Sequence, residues 1–293
     1  MSKIISYDDA IKLAGGKNCT LLLGNGFSIK YFNYKNLLEK ADLPAGDPVR
    51  ILFDRLGTVD FERVVKTLED ASVVERAYGN DVHSDALVIP NCVKFLTPFE
   101  NVFTMNYDLL LYWVTLGAKK FNDGFGLGTE ENGYLGPFKE GAYCNVYNVH
   151  GGLHLFQRPD GDVEKRLMGP SGVIDAIAQA ITAGKRFPVY VAEGTSLAKL
   201  RKIDSIPYLR YCYETLRASS GPFFIYGHSA DPNDAHIYDT LFRSNIAHLY
   251  FCIHQPSAKI ADIDGELARY QKRNGSKIGY TFVDSESVHV WGR

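Results

Sequence analysis

Thr20-Leu21-Leu22-Leu23-Gly24-Asn25-Gly26-Phe27-Ser28 is the stretch that decides the fold. Thr20 to Leu23 form a short apolar run of the kind that makes a buried strand. The run then breaks into Gly-x-Gly, with Ser28 two residues on. Glycine lets a backbone approach a ligand and turn its N–H groups toward an anion, which suits a pyrophosphate. Strand-to-helix turns also use glycine for geometry alone. Ile29 stands where the third glycine of the dinucleotide fingerprint would be.

The same pattern recurs along the chain. Asn101 to Thr104 runs into Met105-Asn106-Tyr107-Asp108, Asn145 to Val149 runs into His150-Gly151, and Phe223 to Tyr226 runs into Gly227-His228-Ser229-Ala230-Asp231-Pro232. Further apolar runs at Pro188–Val191, Leu249–Ile253 and Tyr280–Val283 read as strands. Phe61, Val64, Val65, Leu68 and Ala71 fall at helical spacing, as do Ile174, Ile177, Ala178 and Ile181, and then Ile260, Ile263, Leu267 and Tyr270. Such alternation predicts one α/β domain over residues 1–293, with a doubly wound, mostly parallel, Rossmann-like sheet. In such a sheet the strand carboxyl ends share one edge, where ligands bind. Two polar, turn-rich stretches, within 119–145 and 158–172, flank His150 and are expected to form cover loops or a small subdomain over the ligand.

Several of these residues have competing roles. Asp108 and its neighbours suit the first turn of a helix as well as chemistry. Asp231 and Asp234 suit helix capping. Glu193 at a strand end could help bind a ribose, while Ser196 suits a cap before Leu197; Glu62 suits a first turn by its charge. The basic run Lys199 to Lys202 reads as a solvated helix face or as an anion contact.

Taken in order, the Gly-rich loop, Thr104-x-Asn106-x-Asp108, His150-Gly151 and the late Gly227-x-Ser229 resemble the motifs of the sirtuin superfamily, over about Thr20 to Ile253. The wording is most similar to bacterial sirtuin-like domains that hydrolyse NAD, several of them in antiphage defence. The resemblance implies an NAD glycohydrolase, a nucleotide-binding hydrolase releasing nicotinamide and ADP-ribose, latent until an activating partner or homo-oligomer forms. By position it places Gly24, Asn25, Gly26, Phe27 and Ser28 on the pyrophosphate and ribose. Thr104 and Asn106 would lie by the nicotinamide ribose and Asp108 by the carboxamide. His150 would be the base, and Gly227, Ser229 and Asp231 would lie on the adenosine side. The bond breaks as positive charge builds on the ribose, so the site must orient the sugar, exclude bulk water and accept one proton. A neutral histidine can take that proton near physiological pH. The alternatives are a non-catalytic NAD or ADP-ribose sensor and, less in keeping with the motifs, a protein deacylase.

Deacylase sirtuins hold a structural zinc between two Cys-x-x-Cys pairs. Here Cys19, Cys92, Cys144, Cys212 and Cys252 are scattered, so no such module can be built from them, and no metal is expected. His150 and His154 are four apart in strand-and-loop context, and His228 and His236 read as a turn residue and a helix residue rather than ligands. At 293 residues the chain can bury a substantial core. A formal net charge of −2 creates no global attraction to nucleic acid or membrane. The polar N-terminus, scattered, odd-numbered cysteines and lack of a long apolar stretch are those expected of a soluble, cytoplasmic protein.

Overall fold

The structure, a computed structural model, describes residues 4–16, 18–29, 88–116, 118, 120–167, 176, 177, 179, 180, 186, 188–191 and 194–291. Its main sheet contains β1 (Ile4–Ser6), β2 (Cys19–Leu23), β3 (Phe99–Thr104), β6 (Val146–Asn148), β10 (Ser220–Tyr226), β11 (Asn245–Ile253) and β12 (Tyr280–Asp284). The order is β1-β12-β11-β10-β2-β3-β6, and every neighbouring pair is parallel. The chain leaves β2 toward β3 and β6, then returns on the other side of β2 through β10, β11 and β12. The strand order therefore reverses at β2, which is where ligands bind in open sheets of this class.

Alternation along β2 explains why both faces are covered. Leu21 and Leu23 join one buried cluster, with Phe95 and Leu96 of α3 (Val88–Leu96), Leu110 and Leu111 of α4 (Leu110–Leu116) and Tyr7 of α1 (Tyr7–Leu13). Leu22 joins the opposite cluster. That cluster draws Ile203 from α5 (Ser196–Asp204), Leu209 and Leu216 from α6 (Pro207–Arg217), Leu241 from α7 (Ala235–Arg243), and Leu267 and Tyr270 from α8 (Pro256–Arg273). This is a doubly wound, Rossmann-like α/β architecture. Among the described residues no helix is long and apolar enough to cross a membrane.

A second, antiparallel sheet departs from simple alternation. It is ordered β4-β5-β8-β7-β9, from β4 (Thr129–Glu131), β5 (Tyr134–Gly136), β7 (Gly151–Gln157), β8 (Val163–Arg166) and β9 (Pro188–Tyr190). The Pro188–Val191 run is thus a strand of this smaller sheet, not of the parallel one. Its proline sits on an edge strand, where a missing N–H is tolerated. The turn-rich stretches within 119–145 and 158–172 supply β4, β5 and β8. The helix read at 61–71, with Glu62, lies outside the described residues. Of the 174–181 helix, Ala176, Ile177, Gln179 and Ala180 are described and are helical.

His154 lies where the second sheet meets α4. It is buried on β7, its ring 4.7 Å from that of Tyr112, and its Nδ1 has no partner. Burial first, with the nearby Lys165 ammonium, pushes this imidazole down to about 3. Folding therefore silences a base. Above about pH 6.5 the folded and unfolded forms are both neutral here; below it only the unfolded chain takes up the proton. We expect stability to fall by up to about 1.4 kcal/mol per pH unit on acidification below that point. His154→Phe should flatten this decline, as read from denaturant midpoints between about pH 6.5 and 4; an unchanged slope would refute the assignment.

Candidate functional site

Parallel register brings four strand ends level. Tyr226 of β10 pairs with Leu23 of β2, Leu23 with Thr104 of β3, and Thr104 with Asn148 of β6. The residues that follow, Gly227, Gly24, Met105 and Val149-His150, consequently emerge along one edge. A pocket there is lined by Gly24, Asn25, Met105, Tyr107, His150, Val191, Lys199, Gly227, His228, Ser229 and Asp234. Of the residues named from sequence, Gly24, Asn25, His150, Gly227 and Ser229 line it.

The glycine turns pack on each other. Gly24 N–H donates to the Tyr226 carbonyl at 2.9 Å, Gly26 N–H to the Gly227 carbonyl at 2.8 Å, and Phe27 N–H to the Gly24 carbonyl at 2.9 Å. A Cβ on Gly26 would come within 2.6 Å of Gly227 Cα, and one on Gly227, whose φ is +79°, within 2.6 Å of Phe27 N. The glycines thus satisfy a chain–chain approach, and these three N–H groups are engaged inside the protein rather than turned outward to an anion.

Beside the turn lies a buried polar chain. Ser28 Oγ donates to Asp108 Oδ2 at 2.6 Å and accepts from Asn106 Nδ2 at 2.9 Å; Asn106 Nδ2 also reaches the Gly24 carbonyl at 3.0 Å. Asp108 Oδ1 accepts the N–H of Leu110, so this carboxylate caps α4. Thr104 Oγ1 accepts the Asn106 N–H at 3.0 Å. Asn106 Oδ1 is buried without a partner. Asp231 lies outside the pocket lining and caps the short helix that follows by accepting from Asn233 N at 2.7 Å.

His150 sits where the chain passes from β6 into the second sheet. Val149 N–H donates to the Thr104 carbonyl, and the His150 carbonyl accepts the Val191 N–H at 2.8 Å, so its backbone is held from both sides. Gly151 follows at φ +74°, and a Cβ there would strike the Val189 carbonyl. The His150 Nε2 faces His236 Nε2 at 3.1 Å, the two rings lying nearly parallel at 10°. Burial, then the neighbouring His236, holds His150 well below the ordinary imidazole value. His236 is pushed down to about 4, again by burial first. Both rings are therefore neutral at physiological pH.

Lys199, Asp234 and His236 were not foreseen from sequence as site residues. Lys199 is buried and its Nζ lies 2.7 Å from Asp234 Oδ1, so it does not belong to a solvated helix face. Asp234 precedes α7 but makes no side-chain cap bond. Burial raises its carboxyl, yet His228, Lys199 and His150 outweigh that and hold it below the usual carboxylate range. Thr195, not Ser196, caps α5; Ser196 Oγ instead accepts the His236 N–H at 2.7 Å and lies 3.2 Å from His236 Nδ1. Single donor atoms of His150, Asp234 and His236 all lie within 4.8 Å of one another, a set that can hold a metal ion. His228 Nε2 is buried without a partner. Glu193 lies outside the described residues.

The packed turns have an energetic consequence. Gly227→Ala combines a left-handed φ with a backbone clash and should destabilise the fold by about 2–4 kcal/mol. Gly265→Ala, in the exposed interior of α8 with open space around it, should stabilise by about 0.5–1 kcal/mol. Urea midpoints of the two variants would check the opposite signs.

Among solved structures, a mutant Sir2 homologue in complex with ADP-ribose is similar at 12% identity and a TM-score of 0.35, covering 94% of this chain and 100% of that one. No curated protein matches the sequence. The family described as Domain of unknown function (DUF4917) matches over residues 21–88 and 81–291, nearly the whole chain, and the protein belongs to that family.

Proposed function

We propose that the strand-end pocket binds NAD and hydrolyses its nicotinamide–ribose bond, with His150 accepting the proton of the attacking water. The observation that carries this reading is a pair of buried polar atoms without a protein partner at the switch point of the sheet: His228 Nε2, from a residue that lines the pocket with neutral His150, and Asn106 Oδ1, from a residue of the same edge outside the pocket lining. A buried polar atom left unpaired costs about 1–3 kcal/mol, so each favours a ligand that supplies a hydrogen bond. Ribose hydroxyls supply such bonds. With the Gly24, Gly26 and Phe27 amides engaged internally, the phosphates would fall to Asn25 and the exposed Ser229. Asn106 and Asp108 then act through the turn they brace. Asn106 holds the Gly24 carbonyl and Ser28, while Asp108 holds Ser28 and the start of α4. The sequence resemblance adds a cytoplasmic role in antiphage defence, latent until assembly or an activating partner.

A non-catalytic NAD or ADP-ribose sensor is the second reading, favoured by the internal engagement of Ser28 and Asp108 and by the weak basicity of His150. Incubating the full chain with NAD and following nicotinamide and ADP-ribose by chromatography separates the two. His150→Ala should lower the rate by roughly 10²–10⁴, and Asn106→Ala by a comparable amount. NAD should still protect both variants against heat, by about 2.7 kcal/mol at a hundredfold excess over Kd. Because His150 stays neutral below the ordinary imidazole range, the rate should not fall as pH drops through about 6.5. A parent protein that binds NAD and releases no nicotinamide would establish the sensor reading instead.

A further inference from the structure

Three donors converge at the pocket from two separate segments; His150 and Asp234 line it, and His236 lies behind them against His150. His150 comes from the β6–β7 junction, while Asp234 and His236 come from the start of α7. We infer that His150, Asp234 and His236 form a binding site for a divalent transition-metal ion of the zinc or cobalt type, with two imidazoles and one carboxylate as ligands. The spacing suits such an ion once the rings turn slightly. With metal–nitrogen bonds of about 2.0–2.1 Å, a 3.1 Å Nε2–Nε2 separation subtends roughly 95–100°, between octahedral and tetrahedral angles. With ring centroids 5.4 Å apart the two Nε2 atoms face each other along one line, so seating the ion requires both rings to swing off that line. Without an ion, the same distance is a single N–H···N hydrogen bond.

The surroundings fit the donor set. Metal-bound histidine usually donates its other ring N–H to a fixed acceptor, and Ser196 Oγ lies 3.2 Å from His236 Nδ1. Binding balances without net proton loss, because the hydrogen on the donating Nε2 is relocated to Nδ1 of the same ring. The Lys199 ammonium, 2.7 Å from Asp234 Oδ1, opposes a second cation, so the other carboxylate oxygen is the one that faces the ion, and affinity is limited by that repulsion. Borderline nitrogen donors select zinc-like ions over calcium or magnesium, which prefer oxygen. The site differs in kind from a cysteine-held zinc module, which the scattered thiols cannot form.

Occupancy takes the His150 lone pair that the hydrolysis reading needs, so a bound ion would suppress nicotinamide release. That consequence rests on the proposed function; the binding measurement does not use NAD, and the two fail separately. The test uses the full chain, stripped by dialysis against a chelator and titrated with Co²⁺ by visible absorption and with Zn²⁺ by calorimetry. One ion per chain is expected, with cobalt ligand-field bands. Asp234→Asn and His236→Gln should each weaken binding by at least roughly 10–100-fold, while His254→Ala, an exposed histidine, should leave it unchanged. Circular dichroism identifies any variant that fails to fold, and the folded one then decides. A parent that takes up no Co²⁺, or binding that survives in a folded Asp234→Asn or His236→Gln protein, overturns the site.

Discussion

Where β2 and β10 end, two glycine turns lie in van der Waals contact, backbone against backbone. Gly26 donates to the Gly227 carbonyl, and neither turn has room for a Cβ toward the other. The contact fixes where α2 (Asn25–Ser28) starts, and Ser28 in turn anchors Asp108 and Asn106. Beyond the contact, His228 and Ser229 are delivered to the same edge as His150. A side chain at either turn would separate two neighbouring strands of the sheet at the point where the pocket opens. The site therefore depends on an absence of atoms as much as on the groups that line it.

Electrostatics in the pocket follow from burial. Imidazoles removed from water hold their neutral form, because the charged form loses more solvation. His150 gains a further push from His236, and His236 from Lys199 and His228. Lys199 and Asp234, two charged groups brought close to them, are paired with each other. Such an arrangement retains lone pairs without retaining charge. It can accept a proton, a hydrogen bond or a cation, and what reaches it decides which. The same reasoning applies to His154, which has no partner at Nδ1 and acts mainly as an apolar ring against Tyr112.

Much of the main sheet was legible from local pattern. The apolar runs ending at Leu23, Thr104, Val149 and Tyr226 are strands, the third stopping at Asn148, and they are parallel, as strand–helix alternation requires. The residues just past their ends reach one edge because all strands run the same way. Less legible was the antiparallel sheet. Its β4, β5 and β8 are three or four residues long, too short for a period to show, and turn residues dominate around them. Ser196 looked like a cap from its place before Leu197, yet Thr195 takes that role and frees Ser196 for His236.

The sequence by itself determined the class of the sheet, the position of the glycine turn and the delivery of His150, Gly227 and Ser229 to the strand-end edge. These depend on periodicity and on chain direction, both of which are local. Only the tertiary structure decided that His150 meets His236 across 86 positions of sequence, that Lys199 turns inward to Asp234, and that the Gly24 and Gly26 amides donate to the Tyr226 and Gly227 carbonyls instead of a ligand. The first two depend on how α5 and α7 pack over the sheet, and the third on the pairing of β2 with β10. Helix packing is set by the summed burial of many apolar side chains, and no single residue or spacing in the sequence carries it.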